Sequence, residues 1–506
     1  MRPERPSSGS LRPSEEARRL QQGAERPLWG RALVATLLLL LCGAGSQHRP
    51  AVGLESPCHS AVEDAQTKET SSTLDVAARA ALEKAGIRPL EVPATNADLA
   101  VLGRMLFFDV RLSGNKNMAC GTCHYHRSGA TDGLSLAVGE GSRGVGDARE
   151  LGAGKVLARH APSLYGRGFL ERLFWDGRVA RVDSGVATPS RLPLEIAAQA
   201  TTPLAAQALF PVLAADEMRG APGSNELAAA TSDEEVWRAI MERLLADPAL
   251  RALFARAYPG TQVADLNFGH AARALAAFET AQWSGSRTPL DAFLGGDSAA
   301  LAEPAKRGAL LFAGKARCAS CHAGPLLSDE SFHALAVPQI GPGLGGTGDD
   351  LGRALVTGAA SDAYAFRTPP LRNLGLTAPY MHDGCFTTLK QVVRHHLDPR
   401  ASLAAYEPAS AGIDPALGHD TDPAREAARA AALDSVLATP VVLSEDDLSD
   451  LLAFLGALTD PAQADALAYK MSPGMMDGMM PNMMMMQPGW KKKAQKGMTM
   501  AVMMGR

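Results

Sequence analysis

This sequence predicts an all-α fold in which helices are joined by long ordered loops. Three observations support that class. Ala and Leu dominate between 49 Gly and 33 Pro, with few aromatics. Helix-start signals recur in both halves of the chain. No stretch alternates apolar and polar residues well enough for a sheet. At 506 residues the chain has room for two or three cores.

Residues 1–46 have the pattern of a signal peptide. They are Arg-rich up to Arg31, run apolar from Ala32 to Leu41, and continue as Cys42-Gly43-Ala44-Gly45. That run suits a signal core and is too short to cross a bilayer. An exported, periplasmic-type protein with no transmembrane helix in the mature chain is therefore expected. The bulky Leu41 argues against lipid attachment at Cys42. The formal net charge is −4, and the first 46 residues hold seven Arg and four Glu. Removing that net +3 leaves −7, which argues against a nucleic-acid partner.

A polar linker over 47–70 leads into an amphipathic helix over Ser72–Ala85, with Leu74, Ala77, Ala78 and Leu82 on one face. These form a segment, 47–94, ahead of two domains placed at 95–290 and 291–466. Thr95-Asn96-Ala97-Asp98 resembles a capping box and opens a helix to about Phe108. The stretch after His124 is broken by Gly129, Gly133, Gly139, Gly141, Gly144 and Gly146. Ser232-Asp233-Glu234-Glu235 caps a helix to about Leu245, and another runs from about Asn267 to Trp283. Pro304 suits the first turn of a helix ending just before Cys318. Thr387 or Thr388 starts the next, and Ser444-Glu445-Asp446-Asp447 caps a last one through Leu458. Residues 467–506 form a Met-rich tail, with 13 of the 19 Met from Met471 onward. No helical period organises them, so disorder is expected, although clustered thioethers are donors that favour Cu(I).

Two pentads dominate the chemistry: Cys120-Gly121-Thr122-Cys123-His124 and Cys318-Ala319-Ser320-Cys321-His322. Composition alone would produce roughly 0.002 such pentads. Two thiols so spaced add across the vinyl groups of a haem, and the following His reaches the iron. A zinc half-site or a thioredoxin-type pair would not require a His directly after each second Cys. Two covalently bound haems c are predicted, with His124 and His322 as iron ligands. Two further thiols remain outside the signal region, Cys58 and Cys385, free or paired with each other. A haem that only carries electrons wants two strong axial ligands; one that activates peroxide wants an open sixth position with an acid–base group above it.

Several stretches occur in one order across about residues 95–460. They are LGRMLFFDVRLSGN with its CGTCH, TDGLSLAVGEG, RHAPSLYG, FWDGR, CASCH, and FRTPPLRNLGLTAPYMHDG followed by TLKQVVRHH. In these the chain resembles the bacterial di-haem cytochrome c peroxidases, a family that includes the MauG enzymes. The resemblance implies a peroxidatic haem in the first domain, an electron-transfer haem in the second, and a Ca²⁺ between them. It also implies that Trp175 relays electrons between the haems and that Glu217 is the distal acid–base. Gln207 and Pro211 would line the same pocket, with a Pro-containing insertion around Ser184–Ala200 lengthening the Trp175–Glu217 interval. Trp237 and Trp283 are assigned to packing.

Three positions depart from the pattern. Many family peroxidases close the first haem with a His where this chain has Glu140, a poor haem ligand, so the first haem is expected to stay open. The second haem's distal ligand, Met or Tyr in relatives, falls on His396, with His395 the alternative if loop differences shift the register by one. The calcium carbonyls map to Thr377 and Pro379, but the family's Asn ligand aligns with His160; His382 is expected to be structural. The implied function is reduction of H₂O₂ to water with electrons from a small cytochrome c or cupredoxin. The alternative is a MauG-type use of H₂O₂ to oxidise Trp or Tyr of a partner protein through a high-valent di-haem state.

Overall fold

The computed structural model describes residues 73–468 other than 286, 345 and 346. The signal peptide, the polar linker, Cys58 and the Met-rich segment from 471 onward lie outside the described residues. What is described is mostly helical. Helix α1 spans residues 73–84, and α2 spans Ala97–Phe107, where the Asn96 side chain accepts from the Leu99 N–H at 3.0 Å. Helices α3 (Asp233–Leu245), α4 (Pro248–Ala257) and α5 (Phe268–Trp283) follow. Then come α6 (Glu303–Ala313), α7 (Leu389–Leu397), α8 (Pro423–Ala431), α9 (Glu445–Gly456) and α10 (Pro461–Ala468). Ser232, Thr388 and Ser444 each cap the helix that follows them, satisfying amide groups that the first turn leaves open.

Two large hydrophobic cores organise most of these helices. The first is built from residues between Leu99 and Trp283 plus Leu326. The second takes Ala78, Leu82 and Ile87 from the N-terminal segment and then residues from Leu290 to Leu458. Each core is centred on a helix that precedes a pentad and packs on a later helix through a glycine. A Cβ on Gly103 of α2 would lie 1.9 Å from the Ala274 carbonyl oxygen of α5; one on Gly308 of α6 would lie 2.0 Å from that of Asp450 in α9. Only glycine lets the backbones come so close. Aromatic rings lock each crossing, Phe107 against Phe278 and Trp283 in the first, Phe312 against Phe454 in the second. Trp237 and Trp283 are both buried, and Trp237 donates its indole N–H to the Leu209 carbonyl.

Several expectations need correction. Two small antiparallel sheets are present. One has the order β1 (Arg172–Leu173), β2 (Val179–Val182), β3 (Gly185–Ala187); the other pairs β4 (Phe332–Ala334) with β5 (Ala365–Arg367). Strands of two to four residues are too short to show alternation. Helix α6 stops at Gly314, four residues before Cys318, and α10 runs two residues into the segment assigned to the tail. Helices α4, α8 and α10, each opening on a proline, went unpredicted.

Candidate active site

The two pentads fold alike. Cys120–Cys123 form one helical turn and Cys318–Ser320 a 3₁₀ turn. In each, the His backbone N–H donates to the first Cys carbonyl at 2.9 Å. That closure places both thiols and the imidazole around one cavity, and the four thiols form no disulfide among the described residues. His124 Nδ1 faces the Ala130 carbonyl at 3.1 Å, and His322 Nδ1 faces that of Leu327 at 2.9 Å. Facing a carbonyl, Nδ1 must carry the proton, which leaves Nε2 as the donor to a metal. Burial holds both imidazoles near a pKa of about 4, so they are neutral, as ligation requires. The residues fit a covalently held haem in each cavity.

The first cavity is lined by Cys120, Cys123 and His124, and on other walls by Gln207, Pro211 and Glu217. Glu217 sits in a single π-helical turn, Ala215–Arg219, an unusual backbone form often found at functional sites. The glycine-rich loop straps that turn down. Asp216 accepts from the Glu140 N–H at 3.1 Å and pairs with Lys155 at 2.8 Å; a Cβ on Gly139 would sit 1.7 Å from the Asp216 oxygen. Burial pushes the Glu217 carboxyl above its usual pKa, with Arg178 opposing. The Glu140 side chain is absent from the cavity lining; Oε1 accepts from Asn115 and Asn117 at 2.7 and 2.8 Å.

The second cavity is lined by Cys318, Cys321, His322 and His396. Two imidazoles that bracket one metal through bonds of roughly 2 Å have ring centres roughly 6 Å apart. The His322 and His396 centres are 6.5 Å apart. His396 Nδ1 faces the Val392 carbonyl at 2.8 Å, leaving Nε2 free. His395 is fully buried with both nitrogens engaged, Nδ1 with Ser402 at 3.0 Å and Nε2 with the Leu335 carbonyl at 2.9 Å. Trp175 lines both cavities, and its indole N–H donates to the His160 carbonyl at 3.1 Å. It sits in the turn between β1 and β2, where Gly177 at φ +67° packs too closely on Phe332 to carry a side chain.

Thr377 and Pro379 line the second cavity together with His160. Calcium takes six to eight oxygen donors. His160 supplies nitrogen instead, and its Nδ1 is committed to the Leu134 carbonyl at 2.8 Å. Besides burial, the charge that depresses its pKa is the Arg167 guanidinium. A cation nearby and no side-chain oxygen at that position do not fit a calcium site.

A sequence profile described as di-haem cytochrome c peroxidase matches residues 97–299. The methylamine utilization protein MauG of Methylorubrum extorquens is 34% identical over 335 residues, covering 64% of this chain and 78% of that protein. The chain belongs to the di-haem cytochrome c peroxidase family. As a member it is an oxidoreductase with two haems c. Cytochrome-c peroxidase IdrP1 of Denitromonas iodatirespirans is 30% identical over 400 residues, covering 73% of this chain and 85% of that one. Among solved structures, a MauG-like protein associated with microbial copper homeostasis superposes with a TM-score of 0.54 at 27% identity, covering 75% of this chain and 95% of that one.

Within this di-haem fold, three charged groups were not anticipated. Arg159 bridges Asp176 and Asp350 at 2.6 and 2.7 Å. Arg167 is buried and lines both cavities, and Glu279 is a buried carboxyl in the first, raised to about 8 by burial. Arg159 lies in the RHAPSLYG stretch, with Arg167 just beyond it. A charge inside a mostly apolar motif was the available signal.

Proposed function

We propose that this protein is an exported di-haem peroxidase that reduces H₂O₂ to water with electrons from a small redox protein, a cytochrome c or cupredoxin. The reaction consumes two electrons and two protons per H₂O₂ and yields two waters. The observation that carries this reading is the Glu217 carboxylate in the wall of the cavity that holds Cys120, Cys123 and His124. When bound, the haem iron supplies the redox chemistry. The chain supplies the rest. Glu217 takes the proton from one peroxide oxygen and returns it to the other. Gln207 and Pro211 shape the pocket around it. His124 and His322 would hold the irons, and His396 would be a further iron ligand at the second site. Trp175, held by its N–H bond to His160, is the stepping stone between the sites. Export rests on the apolar run from Ala32 to Leu41; among the described residues no helix is long and apolar enough to cross a membrane.

A second reading has specific support. The MauG relative, the turned-away Glu140 side chain and the His at 396 all suit an enzyme that uses H₂O₂ to oxidise Trp or Tyr of a partner protein. Low-temperature EPR before and after stoichiometric H₂O₂ separates the two. Both expect one high-spin and one low-spin ferric signal in the resting protein. Rapid return of those signals on adding a reduced donor supports the peroxidase. A long-lived loss of both, ended by oxidation of protein side chains, supports the other. Two low-spin signals at rest would overturn the open first site.

A further inference from the structure

The position between the two cavities departs from the family in a way that the rest of the chain explains. His160 is 3% exposed and belongs to the linings of both cavities. Three of its groups are in use, each on a different segment. Its Nδ1–H donates to the Leu134 carbonyl at 2.8 Å. Its backbone N–H donates to the His382 carbonyl at 2.8 Å, and its own carbonyl accepts the Trp175 indole N–H at 3.1 Å. One residue therefore joins the loop after the first pentad, the TAPYMHDG stretch and the Trp175 turn.

We propose that His160 takes the place of the inter-haem calcium, so that the segments around Trp175 are tied by protein hydrogen bonds and the chain works without that metal. A cation at such a position would gather backbone carbonyls from several segments; here the His160 imidazole and backbone N–H take two such carbonyls directly, those of Leu134 and His382, while its own carbonyl accepts the Trp175 indole N–H. Its Nδ1 bears the proton and cannot ligate. Its Nε2 is buried and has no hydrogen-bond partner among the described residues; it is a nitrogen donor, to which calcium, a hard cation, is poorly matched. The nearby Arg167 guanidinium, itself buried, adds a positive charge that a divalent cation would have to face. His160 acts here as a positioning residue, since its carbonyl holds the Trp175 indole N–H. This inference rests on the inter-site role of Trp175 but not on which substrate the enzyme oxidises.

The test is metal content and spectroscopy on the full di-haem protein, prepared with excess CaCl₂ and then desalted, with and without EGTA. The expected result is much less than one calcium per chain by elemental analysis, with EPR signals and Trp fluorescence unchanged by EGTA. About one calcium or other divalent ion per chain beyond the two irons, removable with a change in the low-spin signal, would overturn the proposal. A second variant tests the residue itself. His160→Asn restores a side-chain oxygen, and it should gain calcium-dependent EPR and fluorescence that the parent lacks. If His160→Asn folds with both haems and remains indifferent to calcium and EGTA, His160 is not what displaced the metal. Because these readouts are stoichiometry and spectra, they are separable from a failure of peroxidase turnover.

Discussion

A carboxylate that does acid–base work must be basic enough to take a proton and still able to return it. Glu217 meets that condition because burial raises its pKa while Arg178 keeps it from rising further. Glu217→Gln should lower peroxide turnover by about 10²–10⁴-fold with haem content unchanged, as expected for loss of one positioned proton-transfer group. The sign with pH follows. The parent, which needs the ionised carboxyl, should lose rate as pH falls through the raised pKa, and the Gln variant should show no such limb. Stopped-flow rates across pH measure both. At the second site, neighbouring histidines face different partners: His396 the His322 ring, His395 the Ser402 hydroxyl and the Leu335 carbonyl. His396→Ala should abolish the low-spin EPR signal, whereas His395→Ala should keep it. The latter should instead lose about 2–4 kcal/mol of stability, because two buried hydrogen bonds are left without their partner.

Two helix crossings, α2 on α5 and α6 on α9, hold the pentads in place, and each depends on a glycine at the contact. Gly103→Ala and Gly308→Ala should each destabilise by about 1–3 kcal/mol or more, since an added methyl in a close-packed crossing forces the backbones apart. Chemical denaturation monitored by helix content reads this, and a cost below a few tenths of a kcal/mol would mean the crossings yield easily. The π-helical turn of Glu217 is likewise held by its neighbours, through the Glu140 amide, the Lys155 ion pair and the close approach of Gly139.

Across the whole molecule, Arg159 links Asp176, beside the Trp175 turn, to Asp350 in the second half of the chain. Burial alone would raise the Asp350 and Asp176 pKa values. The Arg159 guanidinium outweighs it and, with Arg178 also acting on Asp176, holds both below the usual carboxylate value. A depressed folded pKa contributes stability that is complete above the unfolded value, about 4, and is lost as pH falls through the folded one. Asp350→Asn should therefore cost about 1–3 kcal/mol at neutral pH and flatten the acid limb of a thermal-stability profile. An unchanged acid limb would place the acid sensitivity elsewhere.

The pentads, the helix caps at Ser232 and Ser444, a start at Thr387 or Thr388, and the mostly helical class were legible in the sequence, whereas the first cap falls on Asn96 and not, as the capping-box pattern implied, on Thr95. Each is local: a spacing of five residues or a single capped turn carries its own chemistry. The order of the matching stretches likewise pointed to the family. What only the tertiary structure decided was which side chains meet across long separations. Spacing could not say that His395 spends both nitrogens on Ser402 and Leu335 while His396 faces His322. Nor could it say that a two-residue strand turns Trp175 between both cavities, or that His160 joins three segments there. Those outcomes depend on where folding brings distant backbone carbonyls, and a carbonyl leaves no mark in the sequence.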